Sequence, residues 1–126
     1  MADQIKIALI EDDAAIVNMY LTKLRHEGFN VLTAPDGLAG LELVVSFNPD
    51  VVLLDIMMPE FGGVEFLEKI RSKSANDNLK IIVMTNIDDP KLQASLKGMK
   101  ISDYVVKAEI TPAEMVDKIR VLTKPE

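Results

Sequence analysis

The sequence contains no cysteine, no tryptophan and a single histidine among 126 residues. Without cysteine the chain cannot form disulfides, thiolate nucleophiles, iron–sulfur clusters or cysteine-ligated zinc sites, and the lone His26 excludes a multi-histidine metal site. Acidic side chains outnumber basic ones by 20 to 14, which argues against the basic face that direct nucleic-acid binding needs. Any metal or phosphoryl chemistry must therefore rest mainly on oxygen ligands.

Long hydrophobic runs are also absent. The longest apolar stretches, such as Val51–Leu54 and Ile81–Met84, fall far short of the roughly 20 residues that a membrane-spanning helix needs. The N-terminus has no basic start followed by a long apolar core, so it does not resemble a secretory signal. Domains usually hold about 100–200 residues. We therefore expect one soluble domain over residues 1–126, located in the cytoplasm and without membrane insertion.

Short apolar runs alternate with amphipathic segments along the whole chain. Runs rich in Val, Ile and Leu suit parallel strands that are covered on both faces, and the segments between them have helical spacing. Strict alternation of this kind predicts a (βα)₅ fold of the α/β class, with helices on both faces of a doubly wound, five-stranded parallel sheet. The predicted strands are Ile5–Ile10, Phe29–Leu32, Val51–Leu54, Ile81–Met84 and Tyr104–Val106.

Several helix ends carry recognisable signals. Gly28 is a plausible stop for the first helix, and Asp36 can cap the second. Asp89 followed by Pro90 predicts the start of the fourth helix. The segment Thr111–Glu114 is a capping box for the fifth.

Chemically active side chains follow four of the five predicted strands. In a parallel sheet all strands end at one edge, where ligands bind. The first strand delivers Glu11, Asp12 and Asp13 to that edge, and the later ones deliver Asp55, Thr85 and Lys107. Clustered carboxylates require a proton or a cation, and an oxygen-only site fits Mg²⁺. With a hydroxyl and an amine nearby, the set suits phosphoryl transfer to a carboxylate.

Each of these residues also has an ordinary structural explanation when it is taken alone. Acids after strands commonly cap helices or form turns, and Asp13 could cap the first helix as well as serve a site. Lysines in such places are usually solvated. The joint occurrence at one edge is what favours a functional site. Nucleotide binding is disfavoured, because the glycines at Gly37, Gly40 and Gly62 fit no phosphate-binding fingerprint.

The segments IALIEDD, VVLLDIMMPEFGGVEFL, IIVMT and DYVVK together resemble the receiver domain of bacterial two-component response regulators. The resemblance covers essentially the whole chain and implies a flavodoxin-like, CheY-like fold with strand order 2-1-3-4-5. It further implies that Asp55 accepts a phosphoryl group from a partner histidine kinase or histidine phosphotransfer protein. Such a chain catalyses only its own phosphorylation and dephosphorylation, and passes the signal to a downstream protein target or output domain through its fourth helix, fifth strand and fifth helix.

The same resemblance assigns roles to individual residues. Asp12 and Asp13 correspond to the acids of the metal site, with Asp13 as the more direct ligand, and they would hold Mg²⁺ together with Asp55 and the backbone oxygen of Met57. Thr85 and Lys107 would bind the phosphoryl group. Tyr104 would be the aromatic switch that moves inward with Thr85.

The sequence also departs from the family pattern. Ala108 stands where a proline in a cis peptide is usual, so we expect Lys107–Ala108 to be either a strained cis bond or a trans bond that shifts the loop. Asn86 stands where a small residue is customary, and Lys100 stands where a glycine is customary. Apolar Met57 and Ile87 flank the site and cannot orient an attacking water, which predicts a long-lived phosphoaspartate.

Three functions remain open at this level. The first is a receiver, which acts either alone or as part of a longer regulator. The second is a non-phosphorylated pseudo-receiver that serves as a binding module, which the departures at Asn86 and Ala108 would favour. The third is a small Mg²⁺-dependent phosphohydrolase with an aspartyl-phosphate intermediate, although Met57 occupies the position where such an enzyme would place its general acid.

Overall fold

The computed structural model describes residues 4–58, 61–86, 89–96 and 98–125. Strands and helices alternate through these residues as the sequence predicts, and single 3₁₀ turns follow α3 and β5. None of the helices in the described ranges has the length and apolar character needed to span a membrane. The elements are β1 (Lys6–Ile10), α1 (Ala14–His26), β2 (Asn30–Ala34), α2 (Gly37–Phe47), β3 (Val51–Asp55), α3 (Gly63–Arg71), β4 (Lys80–Thr85), α4 (Pro90–Leu96), β5 (Asp103–Val106) and α5 (Pro112–Thr123).

The strands form one parallel sheet in the order β2-β1-β3-β4-β5, which confirms the predicted topology. The central strand β3 is buried along its whole length, in agreement with an apolar run that is covered on both faces. Its last residue, Asp55, lies in register with Met84 of β4, and Thr85 lies in register with Val106 of β5. This register brings the ends of three strands together at one edge of the sheet.

The two faces of the sheet carry separate hydrophobic cores. Alternate strand residues point to opposite faces, so Ile7 and Leu9 belong to one core while Ala8 and Ile10 belong to the other. Helices α1 and α5 cover the first core, and α2, α3 and α4 cover the second. Because both faces are packed, the polar groups at the carboxyl edge are held on a rigid support.

The predicted helix ends are confirmed by hydrogen bonds. Asp36 Oδ1 accepts a bond from the Ala39 amide at 2.9 Å and so caps α2. In the capping box of α5, Thr111 Oγ1 accepts from the Glu114 amide at 3.1 Å, and Glu114 Oε1 accepts from the Thr111 amide at 2.9 Å. Gly28, just after α1, has a φ of +92°, a left-handed conformation that only glycine adopts without strain.

The loop before β5 is organised by Arg71, the last residue of α3. Its Nε donates to the carbonyl of Met99 at 2.8 Å, and Nη2 donates to the carbonyls of Lys100 at 2.8 Å and Leu79 at 3.0 Å. Nη1 donates to the carbonyl of Asn76. Lys100 itself has a φ of +55°, which lies in the left-handed region that favours glycine.

Candidate functional site

Buried polar side chains mark the carboxyl edge of the sheet. Glu11 follows β1, Asp55 ends β3 and Thr85 ends β4, and all three are buried although they carry polar or charged groups. Asp55 Oδ1 accepts a hydrogen bond from the Met57 amide at 3.0 Å, which fixes the carboxylate at the start of the following loop. Burial of polar groups is costly unless they are paired, so their concentration at one edge indicates a functional rather than a packing role.

Lys107 brings a positive charge to these carboxylates. Its Nζ lies 2.8 Å from Glu11 Oε2 and 3.3 Å from Asp55 Oδ2. Partial burial alone would lower the pKa of Lys107, but its hydrogen bond to Glu11 and the charges of Asp55 and Glu11 outweigh this effect and raise the pKa. The ammonium is therefore charged at neutral pH and bridges the ends of β1 and β3.

Three carboxylates are close enough to hold one cation. One oxygen each from Glu11, Asp12 and Asp55 lies within 4.8 Å of the other two. Glu11 Oε2 is buried, and among the described residues the Lys107 ammonium at 2.8 Å is the one donor near it. An all-oxygen set with one exposed member, Asp12, suits a hard cation that keeps several waters, as Mg²⁺ does. The donor set therefore fits the Mg²⁺ that the sequence analysis expects at this edge.

Asp13 lies outside this group of three carboxylates. Its Oδ1 accepts hydrogen bonds from the amides of Ala15 at 2.9 Å and Ile16 at 3.2 Å, so the side chain caps α1. The structure thus brings Asp12 and Asp55 together as predicted, but it places Glu11 where the sequence analysis expected Asp13. Sequence reasoning placed Glu11 at this edge but did not include it among the candidate metal ligands, whereas its carboxylate lies close to those of Asp12 and Asp55. The sequence does contain a signal for the role of Asp13, because this residue immediately precedes the first helical residue and is therefore the natural cap of α1.

Glu11 has an unusual protonation equilibrium in this environment. Burial raises its pKa to about 7, and the negative charge of Asp55 adds to the increase, although the bonds from Lys107 and the Asp13 amide oppose it. A bound cation would stabilise the ionised form of such a carboxylate. Burial is thus the main cause of the raised pKa of Glu11, and the repulsion between neighbouring acids adds to it.

The remaining predicted residues surround the carboxylates. Thr85 is fully buried at the end of β4, next to the strand that ends in Asp55. Tyr104 lies on β5 and is partly buried against the core beneath α4. Met57 and Asn86 are both exposed, as expected for residues that flank an accessible site, whereas Ile87 lies outside the described residues.

The Lys107–Ala108 peptide is trans, as is every peptide bond of the described residues. The chain passes from β5 into a 3₁₀ turn over Lys107–Glu109. Of the two alternatives predicted for this bond, the trans form is therefore confirmed. Lys107 Nζ lies 3.3 Å from Asp55 Oδ2, so the lysine reaches the carboxylate with alanine at position 108.

Known proteins match this sequence over most of its length. A family model described as "Response regulator receiver domain" matches residues 7–120. Response regulator MprA of Mycobacterium bovis is 31% identical over 125 residues, which cover 97% of this chain and 53% of that protein. The probable transcriptional regulator ycf27 of Galdieria sulphuraria is 35% identical over 115 residues, which cover 91% of this chain and 44% of the relative. The chain thus spans about half the length of these relatives.

Solved structures share the fold. The chemotaxis protein CheY4 of Vibrio cholerae superposes with a TM-score of 0.87 at 24% identity, over 95% of this chain and 99% of that one. The receiver domain of the Francisella response regulator 1452 gives a TM-score of 0.84 at 26% identity, over 94% and 96% of the two chains. With a family match across nearly all of its length and a CheY-like, flavodoxin-type fold, this chain belongs to the response regulator receiver domain family.

Proposed function

We propose that this receiver accepts a phosphoryl group on Asp55 from a partner histidine kinase or histidine phosphotransfer protein, with Mg²⁺ as the cofactor. The observation that carries the proposal is the position of Lys107, whose Nζ lies 3.3 Å from Asp55 Oδ2 beside three clustered carboxylates. A charged amine next to a carboxylate nucleophile is well placed to neutralise an incoming phosphoryl group.

Glu11, Asp12 and Asp55 would hold the metal through their carboxylate oxygens, with the carbonyl of Met57 as a further ligand. When bound, Mg²⁺ supplies positive charge that offsets the repulsion between these acids and the phosphoryl oxygens. Asp13, in this proposal, supports the site by fixing the start of α1 and does not bind the cation directly.

In the transfer, an oxygen of Asp55 attacks phosphorus and forms the acyl-phosphate bond, while the bond to the donor nitrogen breaks and its electron pair stays with the donor. Thr85 donates its hydroxyl hydrogen to one phosphoryl oxygen, and Lys107 neutralises another. In the reverse step, water attacks phosphorus and Asp55 leaves as a carboxylate. The chain thereby acts on its own modification and not on a separate substrate.

The new charge would alter contacts beyond the site. A phosphoryl group adds about −1.5 to −2 charges and three strong acceptors, which compete with Glu11 for Lys107 and attract Thr85. Tyr104, which follows Asp103 at the start of β5, would move inward as Thr85 shifts. The surface formed by α4, β5 and α5 would thereby change its affinity for a downstream protein or an attached output domain.

The decisive experiment is intact-mass analysis after incubation with Mg²⁺ and acetyl phosphate or phosphoramidate. We expect a stoichiometric phosphoryl adduct in the wild type and in Asp117→Asn, which alters an exposed aspartate on α5, and no adduct in Asp55→Asn. Beryllofluoride, which imitates the acyl phosphate, should shift the NMR signals of residues around Asp55 in the wild type and in Asp117→Asn, but not in Asp55→Asn.

Two other results would contradict this proposal and support a different function. Steady release of inorganic phosphate without an adduct would support a phosphohydrolase. No adduct, no turnover and no beryllofluoride response would support a pseudo-receiver that works purely as a binding module.

A further inference from the structure

The outer face of α2 is unusually apolar for a solvent-facing helix. Leu38 is 58% exposed and Val45 is 77% exposed, and Leu41 lies partly buried on the turn between them. In the described part of the chain, α2 is the helix with two large, exposed apolar side chains. Clustering on consecutive turns distinguishes this stripe from the single exposed apolar residues that most proteins carry.

Opposite charges lie on the two flanks of this stripe. On one flank, a groove of about 290 Å³ between α2 and α3 is lined by Leu41 and Val45 together with Lys69 and Lys73. Glu42 does not line this groove and is exposed on the other flank. None of these three charged side chains forms an ion pair with a described residue.

The spacing of the stripe fits a second copy of the same helix. Leu38, Leu41 and Val45 are separated by three and four residues, the a/d spacing with which two parallel helices pack together. When a two-fold axis runs parallel to α2, each flank of the stripe in one copy faces the opposite flank in the other copy. The flank with Glu42 in one copy therefore meets the flank with Lys69 in the other. The same contact is then made twice, as a two-fold interface requires.

We propose that the α2 face, defined as Leu38, Leu41, Glu42, Val45 and Lys69, is a self-association surface of this receiver. It pairs α2 with α2 of a second copy through the apolar stripe, and Glu42 of each copy forms an ion pair with Lys69 of the other. The three apolar side chains of the stripe can bury much less surface than the ~800 Å² per partner of a stable interface. The association is therefore weak and depends on concentration.

Sedimentation equilibrium of the wild type tests the association between about 10 µM and about 1 mM, the range in which small transient interfaces assemble. We expect a monomer–dimer equilibrium that Val45→Glu weakens by about tenfold or more, because it places a charge in the apolar seam. The matched control is Val121→Glu on α5, where the valine is similarly exposed at 73%. That control should dimerise like the wild type.

Charge reversal tests the pairing directly. Glu42→Lys and Lys69→Glu should each weaken the dimer, and the double variant should restore it at least in part, because the reversed charges can pair again. Far-UV circular dichroism of every variant checks that α2 still folds. A wild type that stays monomeric throughout would overturn the proposal and leave the stripe to a different partner protein. An equal loss of dimer affinity in Val121→Glu would overturn it as well. So would a double variant that dimerises less tightly than both single variants.

Discussion

Lys107 and Glu11 form a nearly buried ion pair, with Nζ 2.8 Å from Oε2 and only 10% and 0% of the two side chains exposed. Asp55 lies slightly farther from the same ammonium, at 3.3 Å. Glu11 therefore has two roles, since it anchors the lysine and also belongs to the group of carboxylates that can hold a cation. Breaking such a pair leaves a buried charge without its partner, so substitutions at Glu11 should affect both properties.

Removal of the Glu11 charge should weaken Mg²⁺ binding more than removal of the Asp13 charge. We expect Glu11→Gln to lower the affinity by about tenfold or more, because a carboxylate of the cluster is lost. Asp13→Asn should change the affinity by less than about threefold, because asparagine still caps α1 and Asp13 lies outside the cluster. Isothermal titration calorimetry with Mg²⁺ measures both variants. The opposite ranking would restore Asp13 as the direct ligand.

The comparison of Glu11 with Asp13 shows how far sequence reasoning reaches in this chain. The alternation of apolar runs predicts the sheet, and the residues after each run predict which groups meet at its edge. The choice among three consecutive acids depends on how the backbone turns after Ile10, and the capping position of Asp13 before α1 is the one sequence signal that bears on it. The hydrogen bond from Arg71 to the Met99 carbonyl could not be predicted either, because it joins a side chain to a backbone group 28 residues away.

The raised pKa of Glu11 predicts a dependence of stability on pH in the metal-free protein. Its folded pKa of about 7 exceeds the ordinary 4.5, so the favourable contribution of the protonated form is complete below pH 4.5 and is lost as the pH rises through 7. The free energy of unfolding of the wild type should fall relative to Glu11→Gln over this interval, by at most about 3 kcal/mol. Urea unfolding in EDTA between pH 4.5 and 8 measures the difference. A difference that does not vary with pH would contradict the prediction.

The exposed Met57 predicts a slow loss of the phosphoryl group, if Asp55 carries one. Its thioether stands two residues after Asp55 and offers no hydrogen bond that could orient an attacking water. Met57→Asn should accelerate hydrolysis by about tenfold, since a side-chain amide can position the water. The decay of the mass adduct after removal of the phosphodonor gives the rate, and Met19→Asn on α1 is the matched exposed control. An unchanged rate in Met57→Asn would show that another group limits hydrolysis.

Truncation of Arg71 should loosen the loop before β5. The guanidinium donates to the carbonyls of Asn76, Leu79, Met99 and Lys100, and Arg71→Ala removes all of these hydrogen bonds. We expect a loss of about 3 kcal/mol in the free energy of unfolding, against about 1 kcal/mol or less for Arg25→Ala. Arg25 serves as the control because it donates to one carbonyl, that of Val31, at 3.2 Å.

Hydrogen exchange distinguishes a local from a global effect of the Arg71 substitution. The Met99 and Ser102 amides bond to Leu96 and Ile81 at 3.0 and 2.7 Å, and both should lose protection in Arg71→Ala. Protection of the central strand β3 should change only as much as the global stability does. A uniform loss of protection throughout the sheet would contradict a local effect of the Arg71 hydrogen bonds on this loop.

Glycine at position 100 should stabilise the protein. Lys100 has a φ of +55°, where a residue with a Cβ pays about 1–2 kcal/mol that glycine avoids. The greater entropy of glycine in the unfolded chain offsets part of this gain, so Lys100→Gly should raise the free energy of unfolding by about 0.5–1 kcal/mol. Loss of the exposed ion pair between Lys100 and Asp77, at 3.7 Å, contributes little. Lys100→Ala controls for the lost ion pair and retains the strained backbone, so urea unfolding should show no gain. Equal stability of the glycine and alanine variants would mean that the left-handed conformation costs nothing in the loop that Arg71 holds.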